Sequence, residues 1–146
     1  MAVGAGTVLT VAQVALAISA GAEFIVSPDT DEEVIRYTVQ RGLVSLPGAM
    51  TPTEAKKAHF AGADFVKLFP CVGNGPATVK AFRAPLSQIK FLAVGGVNEN
   101  NARDFMEAGA VGLGIGGNLV NKSWIDAGEF DKITAVAAAI VENIKG

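Results

Sequence analysis

Three alanine-glycine-alanine tripeptides, Ala20-Gly21-Ala22, Ala61-Gly62-Ala63 and Ala108-Gly109-Ala110, recur along the chain, each closing a stretch of helical periodicity and opening a short apolar run. Glycine fits the left-handed position just past a helix C-terminus, so the pattern reads as helix, stop, strand. Strands are expected at residues 24–27, 65–69 and 112–115, with two more of the same kind at 43–46 and 91–94 and a first near 2–7. A helical segment follows each, giving six βα units spaced by roughly 20 to 25 residues. Strands that alternate with helices pair in parallel through right-handed crossovers, which leaves an open doubly wound sheet or a closed (β/α) barrel. The repetition, and the polar or glycine-rich residues at strand C-terminal ends, favour the barrel. A whole barrel has eight such units. The expectation is therefore a single α/β domain over residues 1–146, a partial TIM-type (β/α)8 barrel with six consecutive parallel units.

Helix starts are legible as well. Thr51-Pro52-Thr53-Glu54 sets a capping threonine, a proline at the first helical position and a carboxylate at the third. Asp29 to Glu33 and Asn98-Glu99 read as the same device. In the last helix Ile133, Val136, Ala137, Ile140, Val141 and Ile144 form a stripe that predicts packing on the sheet. Half of the 146 residues are apolar and the formal net charge is −2, with lysines and arginines scattered, so no basic field exists to attract nucleic acid. Cys71 has no cysteine to pair with, no apolar run reaches membrane-spanning length, and no signal peptide is read after Met1. The expectation is a cytoplasmic protein.

The sharpest anomaly is Phe65-Val66-Lys67-Leu68-Phe69-Pro70, an ammonium in the middle of an apolar strand. Side chains alternate across a strand, so Lys67 shares its face with Phe65 and Phe69, where desolvation lowers a lysine's pKa. A neutral lysine is a nucleophile for a ketone and yields an iminium that draws electrons from the adjacent carbon–carbon bond. The plainer alternative is a lysine that snorkels to the strand end or pairs with a buried carboxylate.

Glycine clusters lie just past two strand ends, Gly95-Gly96 and Gly114-Ile115-Gly116-Gly117-Asn118-Leu119. In barrels the loops after the last strands bind phosphate through converging backbone N–H groups, with residues 119–122 here as the accompanying short helix; ordinary turn glycines are the alternative. Neither cluster has the spacing of a Walker or dinucleotide fingerprint. In Gly4-Ala5-Gly6-Thr7 the Thr7 hydroxyl either meets a substrate carboxylate or caps the helix beginning near Val11. Cys71 reads as an inert buried thiol and His59 as a helix-surface residue without a role.

Taken in order, Gly4-Ala5-Gly6-Thr7-Val8, Ser27-Pro28, Leu46-Pro47-Gly48, Val66-Lys67-Leu68-Phe69-Pro70, Val94-Gly95-Gly96 and Ile115-Gly116-Gly117 make the chain resemble the 2-keto-3-deoxy-6-phosphogluconate and 2-keto-4-hydroxyglutarate aldolases. The resemblance implies a class I lyase that needs no metal or organic cofactor. It reversibly cleaves a 2-keto-3-deoxy-6-phospho sugar acid to pyruvate and glyceraldehyde 3-phosphate. It further implies that Lys67 forms the Schiff base, that Thr7 helps hold the pyruvyl carboxylate, that Gly95, Gly96, Gly116, Gly117 and Asn118 receive the phosphate, and that the protein is a homotrimer.

Three departures accompany the resemblance. The family's first two βα units, which carry its general-base glutamate and active-site arginines, have no counterpart before Met1. Loss of such a base costs about a hundred- to ten-thousand-fold in rate, so a catalytically impaired barrel is one alternative. A sugar-phosphate isomerase or decarboxylase barrel is another. Val94 stands where gluconate-type members carry threonine and is similar to the galactonate-active ones. Asn118 replaces a serine and keeps a donor.

Overall fold

The computed structural model describes residues 1–71, 73 and 75–145. The chain begins with β1 (Gly4–Gly6), α1 (Val11–Ser19), β2 (Phe24–Val26) and α2 (Glu32–Gln40), followed by β3 (Val44–Leu46), β4 (Gly48–Ala49) and α3 (Pro52–Phe60). It continues through β5 (Val66–Leu68), α4 (Gly75–Arg83), β6 (Phe91–Val94), α5 (Ala102–Glu107) and β7 (Gly112–Gly114) to α6 (Lys122–Asp126) and α7 (Phe130–Lys145). All strand pairs are parallel, in the orders β1-β2-β3 and β4-β5-β6-β7. The alternation read from the sequence is therefore the alternation of the fold.

The expected strand at 43–46 is longer and carries a break. Pro47 offers a carbonyl but no N–H, which interrupts the ladder between β3 and β4. Hydrogen bonds nonetheless run along both edges of residues 44–49. The carbonyls of Ser45, Pro47 and Ala49 accept from the N–H groups of Phe65 (3.3 Å), Lys67 (2.9 Å) and Phe69 (3.2 Å). On the other edge Ser27 N donates to Leu46 O at 3.2 Å and Gly48 N to Asp29 O at 3.0 Å. Gly48 is required here, because a Cβ would collide with the Pro28 carbonyl. The two ladders thus join into one sheet of six strand paths that does not close, a partial barrel.

Alternation assigns one face of each strand to the helices and the other to the barrel interior. Ile25 packs with Val8, Val14 and Val34 of the first half, while Val66, Leu68, Phe91 and Ala93 pack with Ala55, Val79 and Phe105 of the second. Phe82 meets Phe91 edge-on at 5.8 Å. The inward face carries Phe24, Val26, Leu46, Lys67, Leu92 and Val94 around an open cavity. Among the described residues no helix is long and apolar enough to cross a membrane.

Side chains start the helices where the sequence places oxygen acceptors. Thr10 caps α1 and Asp31 caps α2, the latter accepting from the N–H groups of Glu33 and Val34. Two expectations change. Asn98 opens a turn in front of α5, accepting from Asn100 N at 2.9 Å, and the helix itself starts at Ala102. In α7, Ile140 is buried and Val136 and Ile144 pack on the core, but Val141 is 48% exposed. One residue further on turns a side chain by about 100°, which takes Val141 off the stripe.

The capping box of α3 is complete. Thr51 Oγ1 accepts from Glu54 N at 3.2 Å, and Glu54 Oε2 accepts from Met50 N at 2.9 Å and Thr51 N at 2.8 Å. These bonds, first that from Met50 and then that from the Thr51 hydroxyl, hold the Glu54 carboxyl below its ordinary pKa. Its contribution to stability is present above the unfolded-state value and is lost as pH falls through the folded one. Thr51→Ala is expected to lose about 1 kcal/mol of stability at neutral pH. Urea denaturation measures it, and an unchanged midpoint would remove the cap from the account.

Candidate functional site

Lys67 stands at the middle of β5 because its backbone is bonded on one side to Pro47 O, while that of its neighbour Val66 donates to Lys90 O at 2.9 Å. The register sets it beside Gly48 on β4 and Leu92 on β6. Its side chain enters the interior and is only 9% exposed. Nζ donates to the Ser27 carbonyl at a long 3.5 Å and lies 4.2 Å from the centroid of the Phe69 ring. Among the described residues no carboxylate pairs with it. Desolvation alone pushes its pKa below the ordinary lysine value. Of the alternatives left open by the sequence, the ion-paired lysine is not what the structure contains.

The interior cavity has a volume of about 650 Å³, and among the described residues Lys67 is the only ionisable side chain that lines it. Around it stand Phe24, Val26, Leu46, Leu92 and Val94. Next to it is a second cleft of about 260 Å³, bounded by Phe69, Val94 to Val97, Gly114 and Gly116 to Asn118. Val94, Gly114 and Gly116 line both spaces. The arrangement therefore joins a desolvated amine to a cleft walled by backbone.

Two loops build that cleft. Gly95 and Gly96 adopt φ of +97° and +77°, open to glycine and costly for other residues, and a Cβ on Gly95 would press on Cys71 N at 3.3 Å. The Gly96 carbonyl is held by Asn101 Nδ2 at 2.9 Å. The opposite loop turns once, with Leu119 N and Val120 N both donating to Gly116 O at 2.9 Å. This single turn stands where a helix over 119–122 was expected; α6 begins at Lys122, capped by Asn121. Asn118 Nδ2 donates to Val97 O at 2.8 Å and ties the loops together. Among the described residues the backbone N–H groups of Gly96, Gly116, Gly117 and Asn118 have no protein acceptor. Several unpaired donors in one cleft suit an anion with several oxygens.

Thr7 is not brought into either cavity wall, although Gly6 beside it lines the interior one. Thr10 caps α1, which removes capping as the account of the Thr7 hydroxyl. Thr7 is exposed at φ +58°, a left-handed conformation that is strained for a β-branched residue. Cys71 is buried with Sγ donating to Leu68 O at 3.2 Å, and burial pushes its thiol pKa up, so it is not poised as a nucleophile. The described residues contain no cluster of three or more His, Cys, Asp or Glu that would hold a metal ion.

Some contributors were not singled out from the sequence. The Asn101 contact to Gly96 O spans a loop and has no periodic signal. The inner wall of Phe24, Val26, Leu46 and Leu92 was findable, since each lies in register on the face that carries Lys67.

Residues 1–136 match the family model for KDPG and KHG aldolase. A probable 2-dehydro-3-deoxy-6-phosphogalactonate aldolase of Rhizobium meliloti (strain 1021) is 39% identical over 145 residues, which are 99% of this chain and 68% of that one. A solved structure described as native KDPGal superposes with a TM-score of 0.90 at 38% identity, covering 97% of this chain and 68% of that one. The KDPG aldolase of Legionella pneumophila, solved with pyruvate captured as a covalent carbinolamine intermediate, gives a TM-score of 0.82 at 27% identity, covering 94% and 67%. The chain spans about two thirds of the length of these relatives.

Asn118→Ala removes the bond that ties the two loops. Stability is expected to fall by about 0.5–1.5 kcal/mol. Amide exchange at Leu119 and Val120, whose N–H groups are bonded to Gly116 O, is expected to quicken while that of Val66 is unchanged. Equal exchange in both proteins would show that Asn118 is not the tie.

Proposed function

We propose that this chain, which belongs to the KDPG and KHG aldolase family, carries the carbon–carbon bond chemistry of that family on Lys67. Its relatives are aldolases, which are lyases. One observation carries the reading: a lysine residue 9% exposed in an apolar cavity, without a carboxylate partner among the described residues, adjoining a cleft with several unpaired N–H donors. The substrate class that fits is a phosphorylated 2-keto acid, its ketone at Lys67 and its phosphate against Gly95, Gly96, Gly116, Gly117 and Asn118. Val94 lies between the two spaces, where the middle of such a chain would run.

The steps follow from the amine. Neutral Lys67 attacks C2 of the keto acid to give a carbinolamine, which takes up a proton and loses water to leave the iminium. The C3–C4 bond then breaks with its electron pair moving to the iminium, giving an enamine, while the C4 hydroxyl gives up its proton and leaves as an aldehyde. Protonation of the enamine at C3 and hydrolysis release pyruvate and the free amine. Thr7, one residue past Gly6 of the cavity wall and held at φ +58°, is assigned to the pyruvyl carboxylate on the family resemblance. The covalent pyruvate adduct described for the Legionella pneumophila relative supports the first step. Neither cavity is lined by a carboxylate among the described residues, so no side chain of either wall is assigned the proton transfer. Adduct formation and turnover are thus separate readouts.

Borohydride reduction in the presence of pyruvate is expected to fix one adduct on Lys67, found by peptide mass spectrometry and absent from Lys67→Arg. The initial trapping rate should rise with pH through a midpoint below the ordinary lysine range, because the neutral amine attacks and desolvation favours it. A Lys67 peptide that stays unmodified would sink the Schiff-base assignment. A cleavage assay with gluconate- and galactonate-type substrates tests turnover, with faster cleavage of the galactonate epimer expected from Val94.

Assembly as a homotrimer is part of the same proposal. Leu16 and Phe60, 71% and 75% exposed on the outer helices, are apolar surface that a subunit contact would cover. Sedimentation equilibrium is expected to return three chain masses, and a monomer at micromolar concentration would refute it.

A further inference from the structure

Lys67 has a phenylalanine on either side of it on the same face of the strand, and its amine is set against only one of them. Nζ lies 4.2 Å from the Phe69 centroid, whereas the Phe65 ring faces Lys90 Nζ at 5.5 Å. The backbone holds Phe69 in place, its N–H donating to Ala49 O at 3.2 Å. Its ring, 38% exposed, also walls the glycine-lined cleft. An aromatic face carries partial negative charge and attracts a cation, more strongly where water is excluded. Among the described residues no carboxylate pairs with Lys67. Lys67 is the only ionisable group among the residues lining the cavity and the adjoining cleft. Cys71, the next titratable group along the chain, turns its Sγ to Leu68 O, and Ser27 offers Nζ only a neutral carbonyl.

We propose that the face of Phe69 serves as the counter-charge of this site, holding the positive charge of Lys67 first as ammonium and then as the iminium formed with a keto acid. The second half rests on the Schiff-base reading above; the first does not. No bond to the ring forms or breaks. The amine adds to the ketone carbon, a proton is taken up, water leaves, and the charge remains on the same nitrogen above the same ring.

This account has a signature that simple packing lacks. Below the amine's titration midpoint Lys67 is charged before and after imine formation, so the ring favours both states and drops out of the equilibrium. Above the midpoint the amine starts neutral and only the iminium gains. Phe69→Leu, which keeps apolar bulk without a π face, is compared with Phe69→Tyr, which keeps the face. The Lys67 titration is followed by NMR after reductive methylation with ¹³C-formaldehyde. In Phe69→Leu the midpoint is expected to fall by roughly half to one and a half pH units. The borohydride-trapped fraction at sub-saturating pyruvate is expected to fall about two- to thirty-fold above the midpoint and to match the parent below it. Phe69→Tyr is expected to follow the parent in both. A Phe69→Leu midpoint equal to the parent's would overturn the proposal, as would a loss of trapping equal at all pH values or shared by Phe69→Tyr. The parent chain separates the two readings: a shifted titration with no parental adduct on Lys67 removes the Schiff base alone, and parental trapping with an unshifted titration removes the ring alone.

Discussion

A lysine amine taken out of water without an opposite charge is the constraint around which the rest of this structure is arranged. Burying an ammonium is costly, and a partner carboxylate is the usual remedy. Here the surroundings are a long bond to a carbonyl, a ring face and aliphatic walls. Such a site shifts the balance toward the neutral amine, and a neutral amine reacts with ketones. The position of Lys67 cannot drift, because its strand is bonded along both edges, to Pro47 on one side and to Phe91 and Leu92 by register on the other. Reactivity and fold thus meet in one residue of one strand.

The glycine cleft depends on the same ladder. Its two loops leave β6 and β7 at adjacent strand ends, so parallel pairing in register is what brings Gly96 and Gly116 into one cleft. Val94 pairs with Gly114, whose missing side chain makes room: a Cβ there would meet Val94 Cγ2 at 2.6 Å. Asn118 and Asn101 then fix the loops from either side through backbone carbonyls. Side chains hold the loops, and backbone N–H groups of Gly96, Gly116, Gly117 and Asn118 are without a protein acceptor among the described residues. That division suits phosphate, whose several oxygens match several N–H groups better than a single charged side chain would.

What could be read from the sequence was whatever is periodic or locally punctuated. Glycine stops and the short apolar runs after them marked the six units, and Thr51 with Glu54 marked the α3 cap, because both depend on residues a few positions apart. Lys67 was conspicuous for the same reason, as a charge in an apolar run. Pattern alone did not separate catalysis from a buried ion pair, since the presence of a carboxylate is a fact about distant segments; family resemblance tipped the reading, and the unpaired amine agrees with it. Thr7 shows the complementary case. Its two readings were a substrate-carboxylate contact and a cap on α1, and the cap belongs to Thr10, whose Oγ1 accepts from Gln13 N at 3.3 Å. The break at Pro47, the late start of α5 and the outward turn of Val141 are shifts of one to a few residues, the scale on which local signals compete with tertiary hydrogen bonds.

Desolvation of Lys67 also ties reactivity to stability, and the two run in the same direction. With its pKa lowered in the folded chain, the unfolded state binds more protons wherever the pH lies between the folded and unfolded values. Stability therefore rises with pH across that window, as the fold is relieved of a charge it shelters poorly. Over the lower part of the same range the neutral nucleophile becomes available. The Phe69 ring opposes both changes by favouring the cation. For the proposed chemistry such a site is a compromise between two unlike demands: walls apolar enough to free the amine before attack, and one polarisable face to accept the charge that would return with the imine.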